Sequence, residues 1–465
     1  MALHVRDLWE WHGKIGRRDY FLWGFLLAAI KYNLDRLIIV LWTGRSWFPF
    51  EYLRAPNNLS GDRVDGLSVA QVITLLAVAV PFVACGVELT LKRLRDIAWP
   101  PTLTVLFFVP YVNLIFFAIL SLQPGADQPR QSDRENLPAW KRMFAGRGRL
   151  TSALLGIGMS ALLGVGLSLL GTLFLRNYGW GLFVGIPFMM GFFSALFHGA
   201  IAPRSWTQCT LVGMLSLLLV GTVLFALAME GILCLAMAAP IGILLAFLGS
   251  TVGWLVTRQP HVGEGKLYAF SWILLPVLMV AEAKIQMPVS PFAVATEVDI
   301  GAPPAVVWRH VIEFSDLPAP HELIFATGVA YPVRARLDGR GAGAVRHCEF
   351  STGAFVEPIT AWEENERLAF DVASQPAPLE EWSFYSKVHP PHLDGFFRSR
   401  RGEFRLIAQD NGHTLLRGTT WYEQDFWPQP YWRLWSDYLI HLIHGRVLAQ
   451  IKSEAESVWR AHSQQ

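Results

Sequence analysis

Between Thr151 and Val256 the chain carries only three charged residues, Arg176, Arg204 and Glu230. A run of 106 residues so poor in charge cannot clothe a water-soluble surface. It belongs in lipid, where every backbone polar group must be satisfied inside helices or a closed barrel. A helical span needs about 20 mostly apolar residues to cross a hydrocarbon core of about 30 Å. Stretches of this kind are Tyr20–Trp42, Ser68–Leu89, Trp99–Leu122, Thr151–Leu175, Tyr178–His198, Leu211–Met229, Gly231–Val256 and Leu267–Ala281. They predict about eight spans, the last one short.

The remainder of the 465 residues differs in kind. Residues 1–285 hold 23 Lys and Arg against 15 Asp and Glu, and residues 286–465 hold 16 against 22. A basic membrane region therefore precedes an acidic soluble domain, and their charges nearly cancel to +2. A hydrophobic content of 52% excludes a disordered chain. Four Cys cannot make a disulfide framework. The even charge balance argues against a nucleic-acid partner. Met1 to Tyr20 lacks the apolar core of a cleavable signal peptide.

Lys and Arg concentrate in cytoplasmic loops, so loop charge orients the chain. Arg6, Lys14, Arg17 and Arg18 place the N-terminus inside, and Lys92-Arg93-Leu94-Arg95 then falls inside too. If Trp99–Leu122 crosses once, 8 loop basic residues lie inside and 12 outside. If it turns back near Pro110 and Asn113, the count becomes 16 inside and 4 outside. The second path fits the charge rule better and puts the C-terminal domain outside the cytoplasm. The length of the segment favours the first. The side is left open, leaning outward. Within Tyr20–Trp42, Asp35 follows Lys31 by four residues, the spacing of a self-paired charge cluster.

Residues 151–285 are rich in Gly, which lets helices pack closely in lipid. Pro187, Pro240 and Pro276 fall inside spans, yet no inverted repeat is visible and only Glu230 and His198 offer charge chemistry. A transporter is therefore not expected.

The stretch Gly13-Lys14-Ile15-Gly16-Arg17-Arg18-Asp19-Tyr20, a span, Leu91-Lys92-Arg93-Leu94-Arg95-Asp96-Ile97, a span broken at Val109-Pro110, and Gln123-Pro124-Gly125 form a specific order. Over residues 10–125 it resembles the bacterial inner-membrane family called domain of unknown function 805. The resemblance implies location and no known chemistry. Arg17, Arg18, Lys92, Arg93 and Arg95 read as a membrane anchor for anionic head groups. Asp96 would cap the next segment or pair with Arg17 or Arg18. The expected organisation is thus 1–125, a basic linker at 126–150, a second helical membrane domain at 151–285, and a soluble domain at 286–465.

In the last part Ala293–Ile300 alternates as a strand, and Ala305–Glu313 reads as a helix opened by Pro304. Strands are expected at Val345–Phe350, Ala354–Glu363, Arg367–Ala373, Gly402–Ala408 and His413–Tyr422, with turns at Asp338-Gly339-Arg340-Gly341, Glu364-Asn365-Glu366 and Asp410-Asn411-Gly412. A long helix, Pro430–Val458, closes the chain, with Leu434, Tyr438, Leu442 and Val447–Leu448 along its stripe. Val298-Asp299-Ile300-Gly301-Ala302-Pro303-Pro304-Ala305-Val306-Val307-Trp308 and Ala361-Trp362 through Leu368-Ala369-Phe370 carry a likeness. So does Gly418-Thr419-Thr420-Trp421-Tyr422. The region, about 292–458, resembles the START-like superfamily, also called SRPBCC or polyketide cyclase/dehydrase-like. The resemblance implies an α+β helix-grip fold, an antiparallel sheet around a long helix, with an apolar cavity for lipids, sterols or polyketides. Only some members are enzymes.

Candidate ligand-binding residues are Trp308, Phe350, Arg346, Glu403, Trp421, Trp435, Tyr438 and His441, each equally readable as plain core or surface. Arg346, Glu349, Glu357, Arg398, Arg400 and Glu403 form a polar set. Alternation puts Arg346 and Cys348 on one face, and His347 and Glu349 on the other. His441 and His444 share a helix face, and with His389 or His392 a three-His site is conceivable, but the spacing is no zinc signature. No metal and no cofactor are expected. The aromatic, Pro-rich loop Glu380–Arg401 reads as internal packing, a lid or an interfacial segment.

The leading expectation is a multi-pass inner-membrane protein whose C-terminal cavity binds a hydrophobic small molecule or lipid. Its partners are membrane lipids and that ligand, with a homo-oligomer left open. An enzyme of cyclase or dehydratase type, using His441, His444 or Glu403 as acid/base groups, is the less favoured alternative. A sensory or structural protein with a partner-binding domain is the third. No P-loop, dinucleotide fingerprint or Ser/His/Asp set is visible.

Overall fold

A computed structural model describes residues 8, 12–44, 47, 63–64, 67–109, 112–123, 125–126, 149–199, 203–258, 266–284, 291–380 and 390–463. The expected basic linker, the boundary near 286, His389 and the aromatics Trp382, Phe384 and Tyr385 lie outside the described residues. The chain divides into two compact units, Met1–Leu224 with Ala238–Met287, and Phe225–Met237 with Pro288–Gln465.

The first unit is mainly helical, with one short antiparallel pair, Arg63–Val64 with Leu67–Ser68. Helices α1 (Arg17–Thr43) and α2 (Val69–Asp96) open it. At the start of α2, Ser68 and Gln71 exchange hydrogen bonds as a capping box, satisfying donors that would otherwise be orphaned. Lys31 pairs with Asp35, as the spacing predicted. Trp99–Leu122 is not one continuous helix. A 3₁₀ segment runs over Pro101–Phe108 and α3 over Val112–Leu122. The two ends meet at the end of α2. Arg93 donates to Leu120 O at 2.9 Å and to Gln123 O, and Ala126 N donates to Asp96 O at 2.9 Å. The segment therefore returns to the helix end it left.

Five more helices follow: α4 (Arg149–Leu169), α5 (Ile186–Gly199), α6 (Trp206–Ala226), α7 (Ile232–Arg258) and α8 (Lys266–Lys284). Among the described residues five helices are long and apolar enough to cross a membrane. They are Ala70–Asp96, Arg149–Phe174, Gly181–Gly199, Trp206–Ala226 and Ile232–Arg258. The expected count of eight is not shown: Trp99–Leu122 is broken, and α1 carries Lys31, Asp35 and Arg36 within its length. Every residue of α5 is buried. A Cβ on Gly191 would overlap Ala246 O of α7, and one on Gly249 would overlap Phe188 O of α5. The two backbones touch, as the glycine content predicted. Glu282 on α8 is a third candidate charge that sequence reading passed over. Its buried carboxylate accepts from Trp180 N at 2.8 Å and Gly181 N at 3.2 Å, at the start of the run leading into α5.

The second unit is a helix grip. Its order is β1 (Phe292–Ile300), α9 (Pro304–Ile312), α10 (Leu323–Ala326), β2 (Pro332–Asp338), β3 (Val345–Phe350), β4 (Gly353–Glu363), β5 (Arg367–Asp371), β6 (Phe397–Ala408), β7 (Thr414–Gln424) and α11 (Gln429–Ser463). The seven strands form one antiparallel sheet in the order β1-β7-β6-β5-β4-β3-β2. Pro304 opens α9, where its missing N–H costs nothing. Asn365 takes φ 68° in the turn between β4 and β5. The core joins Val447, Leu448, Ile451 and Ala455 of α11 to Trp308, Leu368, Phe370, Leu406 and Leu416. The expected stripe of α11 holds at Val447 and Leu448, and at Leu442 against the smaller core, but not at Leu434 and Tyr438, which are exposed. Strand β2 and the short α10 were not anticipated.

A smaller core lies in the same unit. Leu233, at the start of α7, packs with Phe325, Val329, Leu379 and Leu393. Tyr431 donates its hydroxyl to Met237 O. The turn between α6 and α7 is therefore built into the domain, upstream of the boundary expected at 286.

Candidate functional site

Strand alternation carries Arg346 of β3 and Glu357 of β4 inward, as paired residues of adjacent strands. Their side chains form an ion pair at 2.5 Å, with Arg346 only 2% exposed. The rings of Phe314, Phe370 and Phe404 stand 5.3–5.6 Å from the guanidinium carbon. Burial pushes the Glu357 carboxyl up, against the pull of Arg346. Burial opposes the Arg346 charge, but Glu357 and Cys348 together outweigh it, so the guanidinium is pushed above its ordinary value. Arg346 Nε has no hydrogen-bond partner. An unsatisfied buried donor on a charged group costs free energy, about 1–3 kcal/mol or more. Cys348 lies on the same face, and burial pushes its thiol up to about 12, so it stays protonated and inert. His347 and Glu349 lie on the opposite face, as alternation predicted, and that face is the outer one, where they meet Asp338 and Arg334.

A second polar cluster lies between β1, β7 and α11. His441 Nδ1 and His444 Nδ1 share hydrogen bonds with Thr296 Oγ1 at 2.8 and 3.0 Å, and His444 Nε2 with Thr420 Oγ1 at 2.8 Å. Burial and the neighbouring His441 hold the His444 imidazole down at about 4. Beside it a groove of about 510 Å³ runs between β1 and α11, lined by Thr296, Val298, Leu448, Lys452, Glu456 and Arg460 among others.

The candidate residues do not converge on one place. Trp308 is core, edge-on to Trp362 at 5.5 Å. Phe350 is half-buried against Phe355. Trp435 is half-buried. Tyr438 and His441 are exposed. Glu403 alternates with Phe404, a residue packed on the core, so it lies on the convex face, bonded to Arg367 and Arg401. Trp421 alternates with buried Tyr422 and lies under Arg401 at 4.9 Å, also on the convex face. Glu403 and Trp421 therefore do not line the interior. Arg398 and Arg400 pair with Glu423, on the sheet surface.

The residues expected as an anchor differ in their surroundings. Arg17 and Arg18 are exposed and Arg95 half-buried. Lys92 is buried against Glu88 at 2.9 Å, and Arg93 is 0% exposed. The partner of Asp96 is Arg93, not Arg17 or Arg18. Lys92 and Arg93 are thus turned to internal pairs with Glu88 and Asp96.

A third cluster was invisible to sequence reading. Among the described residues, Glu230, Cys234 and His392 alone bring three metal-type donors within 4.8 Å of one another. Glu230 and Cys234 precede His392 by more than 150 residues, so no local spacing announces them.

Residues 8–133 match the family described as "Protein of unknown function (DUF805)". No curated protein matches the chain. Solved structures similar to it include a Nitrosospira multiformis protein at 18% identity, covering 36% of this chain and 99% of that one, with a TM-score of 0.23. A Thalictrum norcoclaurine synthase point mutant is 9% identical, covering 37% and 97%, with a TM-score of 0.24. The Aha1 dimer from Colwellia psychrerythraea is 13% identical, covering 36% and 96%, with a TM-score of 0.21.

Proposed function

We propose that the helix-grip domain binds a hydrophobic molecule bearing an oxygen acceptor, and that the membrane helices hold it where such molecules are abundant. The observation that carries this reading is the Arg346 guanidinium, buried among three aromatic rings with Nε unsatisfied. A carbonyl, carboxylate or phosphate oxygen would complete it, and the rings would take the apolar body. A domain tethered beside the bilayer meets lipid-derived molecules at high effective concentration.

The test uses the full chain, because a fragment beginning near 288 would lack Leu233 from its own core. Removing one partner of a buried pair strands a charge at a cost of about 3–5 kcal/mol. The variant is therefore the double replacement Arg346→Met with Glu357→Leu, which removes both charges. Molecules co-purifying with each protein are extracted and compared by mass spectrometry. A compound enriched with the wild type and lost from the folded double variant is the expected result. Identical extracts from the two would sink the reading.

We also propose that this domain lies outside the cytoplasm. The return of residues 97–126 to the end of α2 supports the path with 16 loop basic residues inside and 4 outside. A periplasm-active reporter fused after Gln465 is expected to be active. Activity only of a cytoplasm-dependent reporter would reverse the assignment.

A further inference from the structure

We propose that Glu230, Cys234 and His392 form a binding site for a divalent cation of the zinc class. Glu230 lies in the bend before α7 and Cys234 in the first turn of that helix, and the fold brings their donor atoms within 4.8 Å of each other. His392 comes from a 3₁₀ turn, Pro391–Leu393. All three belong to the second compact unit. Cys234 Sγ is 3.1 Å from His392 Nε2, and Glu230 Oε2 is 3.3 Å from His392 Nδ1. One donor atom from each residue lies within 4.8 Å of the other two.

Zinc binds thiolate sulfur at about 2.3 Å and imidazole nitrogen or carboxylate oxygen at about 2.0–2.2 Å, so tetrahedral neighbours stand roughly 3.5 Å apart. The trio needs only side-chain adjustment to meet that spacing. A sulfur, nitrogen and oxygen set suits a borderline ion better than calcium or magnesium, which take oxygen alone. Three protein ligands leave a fourth position for water or a ligand atom. The competing reading is a reactive thiol relayed through His392 to Glu230. A relay needs sulfur and carboxylate on opposite edges of the ring, roughly 7 Å apart. Here the two lie within 4.8 Å of each other, which suits a shared ion. Bound there, the ion would fasten the turn before α7 to the loop that carries His392.

The experiment takes the full chain in detergent, strips it with a chelator and titrates it with Co²⁺ and then Zn²⁺. The expected result is one equivalent of metal per chain, with a thiolate-to-Co²⁺ charge-transfer band that Zn²⁺ abolishes. Cys234→Ser loses the band, and Glu230→Gln with His392→Gln loses the stoichiometric binding. Should those variants fail to fold, alkylation of the wild type decides. Cys85, Cys209 and Cys348 are buried, so modification maps to Cys234. Zinc is expected to protect that thiol. A wild type without the band, or a Cys234 alkylated equally fast with and without zinc, overturns the proposal and returns the trio to the reactive-thiol reading.

Discussion

His444 uses both ring nitrogens, toward Thr296 and Thr420, and its half-buried position disfavours the charged ring. Its folded value, about 4, lies below the ordinary 6.5, so the unfolded chain takes the proton first as pH falls. The stabilisation is complete above 6.5 and is lost between 6.5 and about 4. Unfolding of the solubilised protein at pH values across that window is expected to show falling stability, and His444→Gln to flatten the slope. Equal slopes for the two proteins would contradict this. At this scale strand parity groups residues correctly without saying which face is inner: it puts Arg346 and Cys348 together, and the fold turns that face inward. Glu403 and Trp421 were instead chosen for their chemistry, although Phe404 and Tyr422 beside them already marked the opposite face as the core. The pairing of Cys234 with His392 had no local signal, because only the folded chain brings them together.

Among the elements, α5 and α7 show how far lipid-embedded packing depends on backbone contact. Gly249 admits no Cβ without displacing Phe188 O, whereas Gly166 faces open space. Gly249→Ala is expected to cost about 1–3 kcal/mol, and Gly166→Ala to be near neutral. Thermal melts in one detergent compare them, and indistinguishable melting would refute the close approach. The strands from Val345–Phe350 to the final helix are readable where turn residues bound alternating runs, but β6 begins at Phe397, inside the segment expected as a loop through Arg401. Pro332–Asp338 was missed although Val333, Ala335 and Leu337 alternate with Arg334 and Arg336. Its lead residue is a proline, and the run is short. The break in Trp99–Leu122 was foreseen as one of two paths. Length alone could not choose, because an apolar hairpin and an apolar span have the same composition. Arg93 chooses, by reaching the carbonyls at the far end.

Across the whole molecule, the change of composition near residue 286 marks where lipid gives way to water, and not where a folding unit begins. The chain enters the helix-grip unit twice, first at Phe225–Met237 and again from Pro288. The first visit is made by the turn of a helical hairpin and contributes Leu233 and Met237 to the later domain. Hydropathy could not reveal this, because such a turn reads as lipid-facing from either side. The domain is thus spliced into the membrane chain rather than hung from its end, and its peptide linkage is not its sole attachment. Severing a protease site engineered between Lys284 and Pro291 is expected to leave the C-terminal piece in the membrane pellet, held by Leu233 and its neighbours. It should come free only under denaturant. Release on cleavage alone would mean that the turn is a neighbour and not a clamp.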